Sequence, residues 1–143
     1  MKHIKILAAV FALALSLTSL DTVAVEAPAA KEKVVIQVSD GDSGKWNLAL
    51  SNAKNAQQDY GPGKIEIEIV TYGPGIGMLK SDSAVAKRIE EAKQSGITLV
   101  ACQNTMKAMK LTESDMLPNT SYVPSGVVEL IKKQREGYAY LRP

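Results

Sequence analysis

Two short, almost continuous apolar runs constrain the fold of this chain more than any other feature. They are residues 34–38 (VVIQV) and residues 97–101 (ITLVA), and both are rich in β-branched side chains. A run of this kind is typical of a strand that is covered on both faces, as strands are in parallel sheets. Because apolar residues recur at helical spacing between and after these runs, we predict a parallel sheet that lies between two layers of helices.

The remaining elements follow from periodicity and from breaker residues. The pattern predicts helices that begin near residues 45, 83, 103 and 125, and further strands at residues 65–70 and 138–141. Residues 65–70 (IEIEIV) alternate apolar and charged side chains, which favours a strand near a sheet edge with Glu66 and Glu68 on a solvated face. Residues 111–122 are predicted to be irregular. The expected fold is a three-layer α/β/α sandwich with a mostly parallel sheet of about five strands.

The first residues predict export. Residues 1–5 (MKHIK) carry two lysines, residues 6–17 (ILAAVFALALSL) are apolar apart from one serine, and small residues follow. This order of charged, apolar and small-residue regions is typical of a secretory signal, and the apolar run is too short to span a bilayer comfortably.

Signal cleavage defines the expected domain limits. Cleavage after Ala24 is preferred, and Ala27 and Ala29 are alternatives. We expect a signal peptide at residues 1–24, a short tether at 25–33, and one domain at 34–143. The mature protein is expected to be periplasmic or secreted, with no stable membrane insertion after the signal is removed.

The scarcity of His and Cys excludes several kinds of chemistry. The single His of the chain, His3, leaves with the signal, so Ser-His-Asp triads, Cys-His pairs and His-based zinc sites are excluded. One Cys precludes an intramolecular disulfide. A net charge of +2 without a basic stripe, together with 5% aromatic residues, argues against nucleic-acid binding. No metal and no organic cofactor is expected.

Cys102 is the candidate reactive group. Ligands bind outside the carboxyl ends of the strands in open α/β sheets, so the loops at residues 40–45, 72–77 and 102–105 are expected to meet there. Cys102 ends a predicted strand and precedes a predicted helix, whose N-terminus would stabilise a thiolate. The alternative is that Cys102 packs as a small buried hydrophobic residue, as free Cys commonly does.

Two glycine-rich loops have simpler interpretations than nucleotide binding. Residues 41–45 (GDSGK) are too short for a phosphate-binding loop, and a helix cap by Asp42 or Ser43 explains them. Residues 73–77 (GPGIG) lack the third interval of a dinucleotide motif and are predicted to form a tight turn.

Four segments resemble the DsrE/DsrF-like family. They are residues 34–55 (VVIQVSDGDSGKWNLALSNAKN), 69–80 (IVTYGPGIGMLK), 99–106 (LVACQNTM) and 122–143 (YVPSGVVELIKKQREGYAYLRP). The similarity extends over residues 34–143, and the Cys-x-Asn-Thr pattern at Cys102 is similar to that of an exported branch of the family.

The resemblance implies a fold, an assembly and a chemistry. It implies a three-layer α/β/α fold, assembly into homo-oligomers such as trimers or hexamers, and sulfur carried as a persulfide on the Cys that follows a central strand. Cys102 occupies the matching position. The leading hypothesis is a sulfurtransferase-like sulfur carrier, with a sulfur donor or acceptor protein as its partner.

Five other residues complete the expected site. Asn104 and Thr105 are expected to donate hydrogen bonds to the sulfur, and Asp40, Trp46 and Tyr72 are expected to shape the cleft. The alternative function is a non-catalytic, oligomeric module that binds a small ligand or a partner, with Cys102 only packed. Exposure of the thiol distinguishes the two hypotheses.

Overall fold

The computed structural model describes residues 30–143, so the expected signal peptide and most of the tether lie outside the described residues. The strands are β1 (Glu32–Val38), β2 (Ile65–Thr71), β3 (Thr98–Cys102), β4 (Ser121–Val123) and β5 (Ala139–Leu141). The helices are α1 (Ser43–Tyr60), α2 (Ala86–Gln94), α3 (Gln103–Ala108) and α4 (Gly126–Arg135), with 3-10 helices at Gly73–Leu79 and Glu113–Asp115.

The five strands form one sheet with the order β4-β3-β2-β1-β5. Every pairing between neighbouring strands is parallel. The two apolar runs of the sequence form β1 and β3, and the alternating segment forms β2 between them. These three longest strands lie side by side in the middle of the sheet, where both faces are covered. The predicted three-layer fold with about five parallel strands is confirmed.

The direction of each connection decides which face its helix covers. Right-handed crossovers place all connections that move the same way along a sheet on one face. The chain moves from β1 to β4 in one direction, and buried residues of α1, α2 and α3 pack together on one face. It then returns past β1 to β5, and α4 covers the opposite face through Leu130.

The two faces of the sheet carry cores of different size. The larger core joins Ile36, Ile69 and Leu99 of the sheet to side chains of three helices and of the first 3-10 helix, including Trp46, Leu50, Ile76 and Ile89. Full burial of a side chain of this size stabilises the fold by roughly 1.5–3 kcal/mol. The smaller core consists of Val35, Val70, Val100, Leu130 and Tyr138. Helix α4 is therefore held by few apolar contacts.

Helix ends follow the capping residues of the sequence. The carboxylate of Asp42 caps α1 by accepting a hydrogen bond from the Gly44 N–H at 2.6 Å, as expected. Ser125 is the N-cap of α4, but its side chain makes no capping hydrogen bond. Gly137, with φ of 87°, follows α4 and allows the chain to turn into β5.

The glycine-rich turn after β2 is a 3-10 helix that packs on the end of β1. The N–H of Gly75 donates to the carbonyl oxygens of Ser39 and Tyr72, both at 3.1 Å. A Cβ at this position would overlap the carbonyl group of Val38. Glycine is required here because backbone approaches backbone, and no phosphate ligand is needed to explain it.

Two expectations about local structure are wrong. Strand β2 is the central strand of the sheet rather than an edge strand, and Glu68 is buried on it. Helix α4 covers this face at Glu68 and supplies Lys133 opposite the carboxylate, whereas Glu66 at the start of the strand is exposed, as expected. The segment 111–122 is also not wholly irregular, because β4 begins at Ser121 and pairs with β3.

Candidate functional site

Cys102 lies at the point where the connections of the sheet change sides. It ends β3 and pairs with Val123 at the end of β4. Helix α3 leaves β3 towards the larger core, whereas α4 leaves the neighbouring β4 towards the opposite face. Such a switch point opens a crevice outside the carboxyl ends of the two strands, where open α/β proteins bind ligands. The predicted position of Cys102 at a strand end and a helix start is what the structure shows.

The sulfur of Cys102 is surrounded by hydrogen-bond donors. Burial by itself raises the pKa of the thiol, but the Thr105 hydroxyl and the N–H groups of Gly126, Thr105 and Asn104 stabilise the thiolate more strongly. The pKa of Cys102 consequently lies below the ordinary value of 9.0. These donors come from the first turns of α3 and α4, so two helix starts act on one sulfur. The Asn104 N–H is shared, because it also donates to the carbonyl oxygen of Pro124.

Thr105 is oriented by the neighbouring loop. Its hydroxyl oxygen accepts a hydrogen bond from the Gly73 N–H at 3.0 Å. Because that lone pair is occupied, the hydroxyl hydrogen is free to point to the sulfur of Cys102. Thr105 thus connects the turn after β2 to the thiol.

Tyr72 and Gly126 bring α4 close to this site. A Cβ on Gly126 would lie 3.0 Å from the Cβ of Tyr72. The absence of a side chain at Gly126 lets the start of α4 pack directly on Tyr72. Tyr72 therefore contacts the helix start that acts on the thiol, and its expected role in shaping the cleft remains a prediction.

Asn104 contributes its backbone to the site. Its N–H donates to the carbonyl oxygen of Pro124 at 3.2 Å, which ties the start of α3 to the loop before α4. Asn104 is exposed.

Asp40 and Trp46 lie away from the thiol. Asp40 follows β1, and β2 separates β1 from β3, so the ends of these strands are about 10 Å apart. The Asp40 carboxylate is paired with Lys45 at 3.4 Å and with Arg142 at 3.7 Å. The indole of Trp46 is buried in the larger core, and its N–H donates to the Asp40 carbonyl oxygen at 2.7 Å. Their expected role in shaping the cleft remains a prediction.

The accessibility of the thiol is low. Cys102 is 5% exposed. A groove of about 700 Å³, lined by residues that include Leu50, Lys54, Arg88 and Ile97, lies between α1 and α2 at the opposite end of the strands. The sulfur therefore lies at the switch point of the sheet but is almost wholly buried.

The contribution of Gly126 was not expected from the sequence. Ser125 predicted the start of α4, but β4 was not recognised before it, and so nothing placed this helix beside Cys102. The short run Tyr122-Val123-Pro124 was the available signal.

Neither a metal site nor a membrane-spanning helix is found in the part of the chain that the structure describes. Among residues 30–143, no three His, Cys, Asp or Glu side chains are grouped so that they could hold a metal ion. Over the same residues, no helix combines the length and the apolar character that crossing a bilayer requires.

The comparison with protein families agrees with this architecture. The model of the DsrE/DsrF-like family matches residues 32–143. The chain belongs to this family. No curated protein matches it significantly.

Solved structures of similar proteins share the fold. A protein of unknown function from Methanobacterium thermoautotrophicum is 32% identical, with a TM-score of 0.75 over 79% of this chain and 100% of its own. A conserved protein of unknown function from Bacteroides thetaiotaomicron is 21% identical, with a TM-score of 0.64 over 78% of this chain and 95% of its own. The ychN protein of E. coli is 11% identical, with a TM-score of 0.60 over 79% and 99% of the two chains.

Proposed function

We propose that this DsrE/DsrF-like protein is a sulfurtransferase-like carrier that holds sulfane sulfur as a persulfide on Cys102. The observation that carries the proposal is the convergence of four donors on the only thiol of the chain, which lowers its pKa. A thiolate is the nucleophile in sulfur exchange, and donors that stabilise it also favour an anionic persulfide.

The transfer is an exchange between sulfur atoms. The Cys102 thiolate attacks the outer sulfur of a donor persulfide or polysulfide. A new S–S bond forms on Cys102, the S–S bond of the donor breaks, and the donor leaves as a thiolate with the electron pair. An acceptor thiolate then takes the outer sulfur from Cys102 in the same manner, so the cycle needs no oxidant, metal or organic cofactor.

Each side chain of the crevice has a defined part in this exchange. Thr105 donates its hydroxyl hydrogen to the sulfur while the Gly73 N–H holds its oxygen. Asn104 donates through its backbone, and its side chain is exposed to solvent. Tyr72 closes the side of the crevice towards α4.

Export belongs to the same proposal. The order of charged, apolar and small residues at positions 1–24 supports a periplasmic or secreted carrier of the Cys-x-Asn-Thr branch. Its donor and acceptor are then proteins or small sulfur compounds of that compartment.

The proposed carrier assembles into a homo-oligomer, a trimer or a hexamer. Helix α4 exposes Val127, Val128 and Ile131, with 49%, 61% and 45% of their surfaces accessible. Adjacent aliphatic side chains of this kind are typical of surfaces that a partner covers.

One observation favours the alternative function. With 5% of its surface exposed, Cys102 also fits a packed core residue in a non-catalytic binding module. A packed thiol would react with alkylating reagents only after the protein unfolds, whereas a carrier thiol reacts in the folded state.

Loading with polysulfide tests the proposal. The mature protein is incubated with polysulfide, freed of excess reagent and assayed for sulfur that cyanide or a thiol releases. We expect one labile sulfur per chain, and none for Cys102→Ser, which keeps the size of the side chain. Absence of labile sulfur on a folded parent protein would overturn the carrier function.

A further inference from the structure

The face of the sheet under α4 contains an ion pair that lies outside the thiol site. Lys133 of α4 places its Nζ 3.0 Å from Oε2 of Glu68 on the central strand. The side chains of Lys133 and Glu68 are 13% and 9% exposed. The other carboxylate oxygen, Oε1, is buried and has no hydrogen-bond partner among the residues described.

The pair is one of three contacts between β2 and α4. Along β2, Tyr72, Val70 and Glu68 face the helix; the first packs on Gly126, the second joins the cluster of Leu130, and the third binds Lys133. Steps of two residues advance a strand by about 6.6 Å, and steps of three or four residues advance a helix by about 4.5–6 Å. Because β2 and α4 run antiparallel and advance by similar distances between contacts, each of the three residues of β2 meets one residue of α4.

The other buried contacts of α4 are apolar: Gly126 packs on Tyr72, and Leu130 joins the smaller core. These contacts also position the helix, but they contain no charge that a shift of the helix would leave unpaired. A buried ion pair is poor at adding net stability but specifies register well, since any shift leaves a charge unpaired.

We infer that the Glu68–Lys133 ion pair sets the register of α4 on the central strand and thereby holds the Gly126 N–H against the sulfur of Cys102. Lys133 is seven residues after Gly126, or about 10.5 Å along a rigid helix. A displacement at Lys133 is thus carried to the N-terminus of α4. The inference rests on the proposed function only in taking the thiolate as the reacting form.

Other charged groups lie near the pair. Lys132 pairs with Glu129 at 3.9 Å and acts on Glu68, and the Lys33 ammonium lies 5.5 Å from the ring of Tyr138. On α4, Glu129 lies 3.9 Å from Lys133. The ring of Tyr138 is 4.8 Å from the Lys133 ammonium, and its hydroxyl donates to Glu66. These contacts surround Lys133, but Glu68 is the one that joins it to the central strand.

The test replaces the pair without leaving a buried charge. The double variant Glu68→Leu/Lys133→Met exchanges the ion pair for apolar side chains of similar size, which preserves stability in many proteins. Lys132→Met is the matched control, because Lys132 is the neighbouring and exposed lysine, 61% accessible. The rate of alkylation of Cys102 is measured against pH, and thermal unfolding is recorded for each protein.

We expect the thiol pKa to rise by about one unit in the double variant, with a roughly tenfold slower alkylation at a pH below the pKa. Lys132→Met should match the parent. If the double variant does not fold, Glu68→Gln is used, and a smaller rise of the same sign is expected. An unchanged alkylation profile in the folded variant would overturn the inference.

The two proposals fail separately. If the parent never accepts sulfur but the variants shift the alkylation profile, the carrier function falls and the register role stands. If the parent accepts sulfur but the alkylation profile is the same with and without the ion pair, the carrier function stands and the register role falls.

Discussion

Cys102 is held between two helices that leave the sheet in opposite directions. Burial would keep its thiol protonated, and four donors oppose that effect strongly enough to lower the pKa. An acid whose pKa is lower in the folded protein than in the unfolded chain stabilises the fold fully when the pH is above its pKa in the unfolded chain. This stabilisation is lost as the pH falls through its pKa in the folded protein. The folded protein therefore favours the thiolate that sulfur exchange requires.

The hydroxyl of Thr105 can be removed without changing the size of the side chain. We expect Thr105→Val to raise the thiol pKa, because a donor to the sulfur is lost, and to destabilise the fold by about 1 kcal/mol, because the Gly73 N–H loses its acceptor. Thr105→Ser keeps the hydroxyl and serves as the control. Alkylation rate against pH and urea unfolding measure the two effects; identical profiles for Val and Ser variants would contradict this role.

Glu68 makes stability depend on pH in a definite direction. Burial raises its pKa above 4.5 in spite of Lys133, so the folded protein binds this proton more tightly than the unfolded chain. The stabilisation of the fold that results from this tighter proton binding is complete below pH 4.5. It is lost as the pH rises through the pKa of Glu68 in the folded protein. We expect the parent to lose stability relative to Glu68→Gln as the pH rises towards neutrality. Urea unfolding at several pH values checks this; a relative gain would be inconsistent with a buried carboxylate.

At the scale of elements, the sequence correctly predicted the strands and helix starts that depend on local residue patterns. The apolar runs of β1 and β3 and the capped start of α1 were placed within two residues of their observed bounds. Strand β4 was missed because its three residues, Ser121–Val123, carry no period and are ordered by pairing with β3. The alternation in β2 was interpreted as an edge strand, since the sequence does not show that Lys133 lies opposite Glu68.

In the candidate site, too, local features could be predicted from the sequence and contacts between distant segments could not. The position of Cys102 followed from a strand end and a helix start, which are local features. The Gly126 N–H and the orientation of Thr105 by Gly73 join segments that are distant in sequence. They depend on strand order, which periodicity does not determine.

The turn after β2 offers a test at the scale of elements. Gly75→Ala should destabilise the protein by about 3 kcal/mol or more, because a Cβ would overlap the Val38 carbonyl group. Gly41→Ala is the control, since its Cβ would meet Pro74 at an ordinary 3.4 Å, and it should change stability by less than about 0.5 kcal/mol. Chemical denaturation measures both; equal stability of the two variants would refute the close packing.

At the scale of the whole molecule, the two layers of helices are unequal. Among residues 30–143, three helices cover one face of the sheet and α4 covers the other, with Val127, Val128 and Ile131 exposed on it. We expect the mature protein to form a trimer or a larger symmetric oligomer. Light scattering at micromolar protein decides this, and a monomer would count against the assembly.

The central claim, that Cys102 carries sulfur, is tested most directly on protein taken from its native compartment. The protein is isolated with an alkylating reagent present, which traps persulfides, and the peptide that contains Cys102 is analysed by mass spectrometry. We predict an addition of about 32 Da, one sulfur atom, between Cys102 and the alkyl group, removable by a reducing thiol. A Cys102 peptide that is always alkylated directly, or that stays unmodified until the protein is denatured, would contradict the account.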